Sequence, residues 1–411
     1  MSNLWKKTIQ VWCVLVLIFP FLTGCWDRLE IEERAVILGM AIDTAGEEEV
    51  KEEKKVTHLK EDFPKPTTGK IRLTAQIAIQ GRIPLGPGEG GGGGGGQKKP
   101  VWVLHAVGDT IDDAIMVLQQ QIAYRLFIGH LRVVVISEEI AKKGVQNIND
   151  YFRRNSEIRR TVWMMVSQGD ADKAMLTVPP LERIPTLYLM ETMNQSVKLG
   201  KLPPSFLGLF WSASSAHGRE PFLPYIEVKE DNIFVQGLAY FRGDKMVGRT
   251  EPLQIAIVMQ LLGVETAGYS VLITVPEDPS PGAIMTQGTS RKAKIRSEIR
   301  NGRPHFNIQV HIEADIVEKS NEQFDVNKPG MIAKIEKEIA EKQEKSQAKL
   351  IKQTQEKGSD IFGFGEYVRA KHPDYWNEHI KTKEKWREMY KEATFESQVN
   401  ISIRRVGMKA Q

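Results

Sequence analysis

The chain has 411 residues, 26% of them charged and 41% hydrophobic, with a formal net charge of +4. Charge of both signs at this density makes an ordinary solvated surface, and no basic stripe is interleaved with aromatics, which excludes a nucleic-acid footprint. The length admits two or three domains of about 100–200 residues each.

The N-terminus carries Lys6 and Lys7, followed by an apolar run, 9–21 (IQVWCVLVLIFPF), in which only Gln10 is polar. That run is shorter than the roughly 20 residues a helix needs to cross a hydrocarbon core. A basic start and a short apolar run ending in small residues read as a secretory signal peptide. The ending is Leu22-Thr23-Gly24-Cys25, which resembles a bacterial lipobox. The thiol of Cys25 is the nucleophile that accepts a diacylglyceryl group, and small residues before it open the Gly24–Cys25 bond to a peptidase. Cleavage there removes the signal peptide 1–24 and lowers the formal charge from +4 to +2, because the segment holds two lysines and no acid. Cys13 leaves with it and Cys25 is acylated, so the mature chain has neither a free thiol nor a disulfide. Two or more acyl chains anchor firmly, at about 0.8 kcal/mol per buried CH₂. No later run approaches a spanning length, so the remaining body is expected to be soluble.

Residues 35–42 (AVILGMAI) form a short apolar run expected to be a buried strand. Residues 70–79 alternate, placing Ile71, Leu73, Ala75, Ile77 and Ile79 on one face of a half-buried strand. Solvated insertions are expected at 46–69 and 84–100, the second containing seven consecutive glycines, 90–96, which behave as flexible coil. The match Gly86-x-Gly88-x-x-Gly91 falls in this tract. A dinucleotide fingerprint turns directly from strand into helix, so this one is low-complexity coincidence. Closure entropy changes by only about 0.6 kcal/mol per doubling of loop length. Shortening 90–96 to two glycines should therefore leave stability within about 0.5–1 kcal/mol in a denaturant titration.

Strand character resumes at 101–107. Ile111, Ala114, Ile115, Leu118, Ile122 and Leu126 share one helical face, with Asp109 or Thr110 as N-cap. A strand at 131–136, a helix at 138–152 capped by Ser137, and a strand at 161–166 follow. A helical stretch near 186–193 is flanked by proline-rich breaks. Strands are expected at 221–228 and 232–241, with a hairpin turn at 242–245, then a helix at 253–262 and strands at 270–275, 292–300 and 305–317. Asn301-Gly302 is a type I′ turn signal. Residues 331–357 read as one helix about 40 Å long at about 1.5 Å per residue, with Ile332, Ile335, Ile339 and Leu350 near one stripe and Gly358 as its stop. A helix near 361–371, an aromatic cluster and a strand at 398–406 close the chain. The expected fold class is α+β and multidomain, with mixed and antiparallel sheets, helices packed on them and the long amphipathic helix near the C-terminus. An N-terminal α/β-type domain covers 25–200, a linker 201–221, and a C-terminal α+β domain 222–411, read as an antiparallel sheet under the long helix.

Several segments resemble, in order, the Ger(x)C family of spore germination lipoproteins. They are Gly24-Cys25-Trp26-Asp27-Arg28-Leu29-Glu30-Ile31; Leu38-Gly39-Met40-Ala41-Ile42-Asp43, with Ala41 where the family usually has glycine; Gly108-Asp109-Thr110-Ile111; and Arg125-Leu126-Phe127-Ile128-Gly129-His130-Leu131-Arg132. Near the end come Asp360-Ile361-Phe362-Gly363-Phe364-Gly365, Trp376 and Ile403-Arg404-Arg405-Val406-Gly407. The resemblance implies a lipid-anchored subunit of a nutrient germinant receptor. It would lie on the outer face of the spore inner membrane beside two integral membrane subunits, one of them transporter-like.

The residues themselves indicate no enzyme, no cofactor and no metal. His130 has no His, Cys or carboxylate at ligand spacing. His305 and His311 have no partner in sequence, and His372 and His379 lack the pattern H-E-x-x-H. Residues 208–212 read GLFWS, so no nucleophile elbow is present. Candidate interface residues are Trp26 and Asp27 beside the lipid, and Phe362 and Phe364, whose other reading is as knobs closing a helix onto the sheet. The expected role is interaction and scaffolding, with the body binding protein partners and no germinant. The alternative is a solute-binding lipoprotein presenting a small ligand to a transporter-like partner.

Overall fold

The computed structural model describes residues 33–51, 69–79, 99–177, 182–275, 282–319 and 325–406, together with Trp5, Thr8 and Trp12 as isolated helical positions. The lipobox, Trp26, Asp27 and the glycine tract lie outside the described residues.

The elements run β1 (Arg34–Thr44), α1 (Glu47–Lys51), β2 (Ile71–Ala78), β3 (Val101–Gly108), α2 (Ile111–Gln119), β4 (Arg125–Phe127), β5 (Val133–Ser137), α3 (Glu138–Lys143), α4 (Gln146–Arg154), β6 (Trp163–Ser167), α5 (Lys173–Leu176), α6 (Pro185–Lys198) and α7 (Leu207–Ser215). After these come β7 (Phe222–Lys229), β8 (Asn232–Arg242), β9 (Lys245–Arg249), α8 (Gln254–Leu261), β10 (Ser270–Val275), β11 (Gly282–Arg300), β12 (Arg303–Lys319), α9 (Met331–Lys357), α10 (Phe364–Lys371), α11 (Pro373–Tyr375), a π turn (Trp376–Ile380), α12 (Lys383–Glu392) and β13 (Thr394–Val406). The architecture is α+β with two sheets, as the periodicities indicate.

The first sheet has the order β3-β2-β1-β5-β6-β7-β8-β9, with β4 paired to β1. Its centre, β1-β5-β6-β7, is parallel, and antiparallel strands extend it on both sides. Central parallel strands are covered on both faces, so they read as continuous apolar runs. Alternate side chains then divide between two cores. Ala41, Val133, Val135, Trp163 and Met165 face the core shared with α6 and the C-terminal elements. Met40, Ile42, Val134, Ile136, Met164 and Val166 face the core capped by α2, α3, α4 and α7. That split is the period-2 geometry of a strand acting on a run with no polar residue to mark a face.

Strands 222–249 belong to this first sheet. The segment 201–221, expected as a linker, contains α7, whose Leu207, Phe210 and Trp211 are buried in the second of those cores. The chain across it therefore continues one sheet instead of starting another. A new sheet begins only at β10.

That second sheet has the order β10-β11-β12-β13. The Asn301-Gly302 turn joins β11 and β12 with positive φ at both residues. The sheet is mixed where an antiparallel one was expected: β13 lies parallel to β12, because α9 to α12 intervene and carry the chain back to the end at which β12 began. The exposed edge this leaves is covered by the long helix. Glu344 and Glu336 of α9 accept from the Val399 and Ile403 N–H groups at 2.8 Å each, removing donors that an open edge strand would offer to another chain.

Two local boundaries differ from expectation for identifiable reasons. Helix α2 stops at Gln119, whose side-chain amide donates to the Ile122 and Tyr124 carbonyls and accepts from the Leu126 N–H, so Leu126 enters β4 instead of a longer helix. The single helix expected over 138–152 is broken at Gly144, which takes φ +130° while the next N–H bonds the Asp244 carbonyl. Helix α12 and the start of β13 have no counterpart among the elements expected from periodicity. The caps Thr110 and Ser137 are where expected, accepting from the Asp113 and Ile140 amides.

Candidate functional site

A set of buried polar groups lies where the first sheet meets the C-terminal helices, around Asp360–Gly365. Gly358, in the left-handed conformation, ends α9, and the chain turns at once so that Asp360 faces inward at 1% exposure. Its Oδ1 accepts from the Gly363 N–H at 2.8 Å, and its Oδ2 accepts from the Gly365 N–H at 2.9 Å and Trp386 Nε1–H at 3.0 Å. Burial pushes the carboxyl up to about 6 against these donors, which pull it down.

The segment ahead of β7 docks on this loop. The Glu220 N–H donates to the Asp360 carbonyl, and the Gly218 N–H donates to Glu366. Ser359 Oγ donates to the Phe241 carbonyl at 2.6 Å. Gly218 and Gly365 touch backbone to backbone: a Cβ on Gly365 would stand 2.6 Å from the Gly218 Cα and 2.5 Å from the Trp386 ring. The glycines are therefore required by close approach.

Glu220, 2% exposed, joins the same seam to α12. Its Oε1 accepts from Arg387 Nε at 2.5 Å, and its Oε2 accepts from the Gly243 N–H at 2.9 Å and pairs with Lys383 at 3.3 Å. Lys383 also donates to the Ala213 and Ser214 carbonyls at the end of α7. Burial holds its ammonium below the ordinary lysine value even with Glu220 beside it. With Asp360 satisfied by N–H donors and Glu220 by two cations, neither carboxylate is free to abstract a proton from a substrate. The arrangement acts as a rigid joint.

Residues 27–228 match the spore germination protein N-terminal domain, and residues 236–407 match the spore germination B3/GerAC-like C-terminal domain. The chain belongs to the Ger(x)C family of spore germination proteins. It is 24% identical to Bacillus subtilis (strain 168) spore germination protein KC, across 94% of this chain and 93% of the relative. It is 22% identical to spore germination protein B3 of the same strain, across 97% and 98%. The crystal structure of the GerBC protein superposes with a TM-score of 0.54 at 19% identity, covering 83% of this chain and 95% of that one, and shares the fold.

In this Ger(x)C chain the two phenylalanines of the 360–365 motif are built into the interior. Phe362 and Phe364 are 3% and 0% exposed, and Phe364 packs on Phe306 and Phe395 at ring-centroid distances of 4.8 Å each. Both rings therefore serve as core knobs, and neither presents surface to a partner. Asp43, at the end of β1, accepts from the Ala171 and Asp172 N–H groups at 2.6 and 3.1 Å and lies 3.5 Å from Arg72. Burial raises its carboxyl, opposed by the Ala171 amide and Arg72. Trp376 is buried beside Trp386.

The histidines are dispersed. His130 packs edge-on against Phe127, and partial burial with Arg159 and Arg132 nearby lowers its pKa. His305 Nδ1 bonds Thr394 Oγ1 at 2.7 Å, and His372 Nε2 bonds the Ser297 carbonyl at 2.9 Å. His311 is exposed and the His379 ring packs at a tilt against Tyr375. Among the described residues no group of three His, Cys, Asp or Glu side chains is placed to hold a metal, and no helix is long and apolar enough to cross a membrane. Residues 208–212 lie within α7.

Proposed function

We propose that this chain is the lipid-anchored subunit of a spore germinant receptor, acting in nutrient-triggered germination by holding integral membrane subunits together. The observation that carries the reading is the ordered match of both halves of the chain to the two spore germination domains. The Leu22–Cys25 sequence supports an anchor on the outer face of the spore inner membrane, where tethering raises the effective concentration of even a weak contact. Trp26 and Asp27 then sit at headgroup level, next to the membrane subunits. The buried seam supports a scaffold, since a chain that transmits no chemistry still has to keep its two sheets in a fixed relation.

Cys25→Ala should abolish incorporation of labelled fatty acid and impair nutrient-triggered germination, while leaving nutrient-independent triggers intact. Labelling that persists in the variant would remove the lipoprotein reading. Crosslinking in spore membranes should recover two integral membrane partners with the parent and fewer with the variant. A second reading, a solute-binding lipoprotein, is favoured by one feature, a cavity in the C-terminal part.

A further inference from the structure

Helix α8, the second sheet and the middle of α9 enclose a cavity of about 250 Å³. Part of its wall is aliphatic, with Ile257 of α8, Ile273 of β10, Ile312 of β12, Ile339 of α9 and Ile401 of β13, and part is polar, with Gln254, Thr286, Gln343 and Ser346. That volume lies just below the roughly 300–1,000 Å³ of sites for drug-sized ligands, which suits a compact molecule.

Two lining groups are buried and polar, and one of them carries a donor that the fold leaves unpaired. Gln260 is 3% exposed, and its Nε2 is buried with no hydrogen-bond partner. A buried amide left unpaired is destabilising, whereas leucine at the same position would leave no donor unsatisfied. Arg291, 4% exposed, lies on β11 facing the same space. Its Nε, Nη1 and Nη2 donate to the carbonyls of Val264, Ala256 and Thr266 at 2.6, 3.2 and 2.6 Å. Among the described residues no carboxylate forms an ion pair with it, and burial pulls it down to about 10. A guanidinium buried among neutral carbonyls keeps a net positive charge in a low dielectric, with N–H groups to spare beyond the three it donates. Lys342 and Lys349 of α9 also line the cavity, Lys342 donating to the Thr274 carbonyl at 2.9 Å and Lys349 pairing with Glu251, a lining residue as well.

We infer that this cavity is a binding site for a compact aliphatic monocarboxylate, whose hydrocarbon body fills the isoleucine-lined space and whose carboxylate accepts from Gln260 Nε2 and neutralises Arg291. An α-amino acid shares the carboxylate but brings an ammonium into a space whose unsatisfied groups are a cation and an N–H donor, so the site prefers the simple acid. The inference rests on the C-terminal fold alone and stands apart from the anchoring and assembly proposed above.

The test uses the full chain as isolated, reconstituted in bilayer nanodiscs and titrated calorimetrically with hexanoate and, separately, with leucine, against empty nanodiscs. Saturable hexanoate binding at one site is expected, with leucine at least tenfold weaker. Gln260→Leu should weaken hexanoate at least tenfold while raising the thermal midpoint of the unliganded protein, a combination that a purely structural glutamine would not produce. Ala314→Leu, which places bulk in the cavity from β12, should also abolish binding and provides a second variant that keeps Arg291 and its carbonyl bonds. No saturable hexanoate heat, leucine binding as tightly as hexanoate, or hexanoate binding unchanged in Gln260→Leu would each overturn the assignment. None of these outcomes bears on fatty-acid labelling of Cys25 or on crosslinking to membrane partners, so the two readings fail separately.

Discussion

Glu220→Ala is expected to lower the unfolding free energy by about 3 kcal/mol, at the low end of the range for breaking a buried ion pair by removing one partner. The loss falls at the low end because Lys383 keeps the Ala213 and Ser214 carbonyls and Arg387 keeps Glu384. What disappears is the carboxylate bridging both cations, together with the acceptor of the Gly243 N–H. Lys383 gives this variant a recognisable pH dependence. Burial already depresses its folded-state pKa below the ordinary 10.5, and loss of Glu220 depresses it further. Through that window the unfolded chain binds more protons than the folded one, so stability rises with pH toward 10.5. The deficit of the variant should therefore shrink in urea titrations run at increasing alkaline pH. A deficit under about 1 kcal/mol at pH 7 would show that the two cations are already solvated and that the joint does not depend on this charge.

Asp360→Asn comes next in size, at about 2 kcal/mol at pH 7, although the change is nearly isosteric. The carboxylate presents only acceptors to the Gly363, Gly365 and Trp386 N–H groups. An amide turns one oxygen into a donor, and whichever orientation it takes, a buried N–H faces another N–H. The pH dependence has the opposite sign to that of Lys383. With its folded pKa raised from 3.8 to about 6, Asp360 holds a proton that the unfolded chain has released. Its contribution is fully present below 3.8 and is lost as pH rises through 6. Because the amide does not titrate, urea titrations should show the parent losing stability relative to Asp360→Asn as pH rises from 4 to 7 and the carboxyl ionises. If the parent gains instead, the N–H donors outweigh burial and hold the carboxylate below its usual range.

Both predictions concern a seam that the sequence reaches only from one side. The glycines of 360–365 mark a tight turn, and Phe362 and Phe364 are large apolar side chains, so a packing role for the rings is readable from residue type. Glu220, Lys383 and Arg387 carry no such mark. They are ordinary charged residues, Glu220 stands 167 positions before Arg387, and only the folded chain makes it a neighbour of Lys383 and Arg387. Arg291 and Gln260 are equally silent. In an alternating strand Arg291 reads as a solvent-facing residue, and its burial depends on α8 packing over that face of β11.

By itself, the sequence determined those features that arise between residues a few positions apart. These are the caps at Thr110 and Ser137, the Asn301-Gly302 turn, the alternation of β2, and the 27-residue extent of α9 with its glycine stop. It also determined family membership, because short motifs in fixed order survive without any knowledge of contacts. The tertiary structure alone decided that strands 222–249 complete the first sheet, that β13 runs parallel to β12, and that 201–221 is packed structure. Strand pairing and the burial of lone charges are long-range outcomes. Their free energy depends on which surfaces meet, and a strand's own residues read the same whichever neighbour it finds.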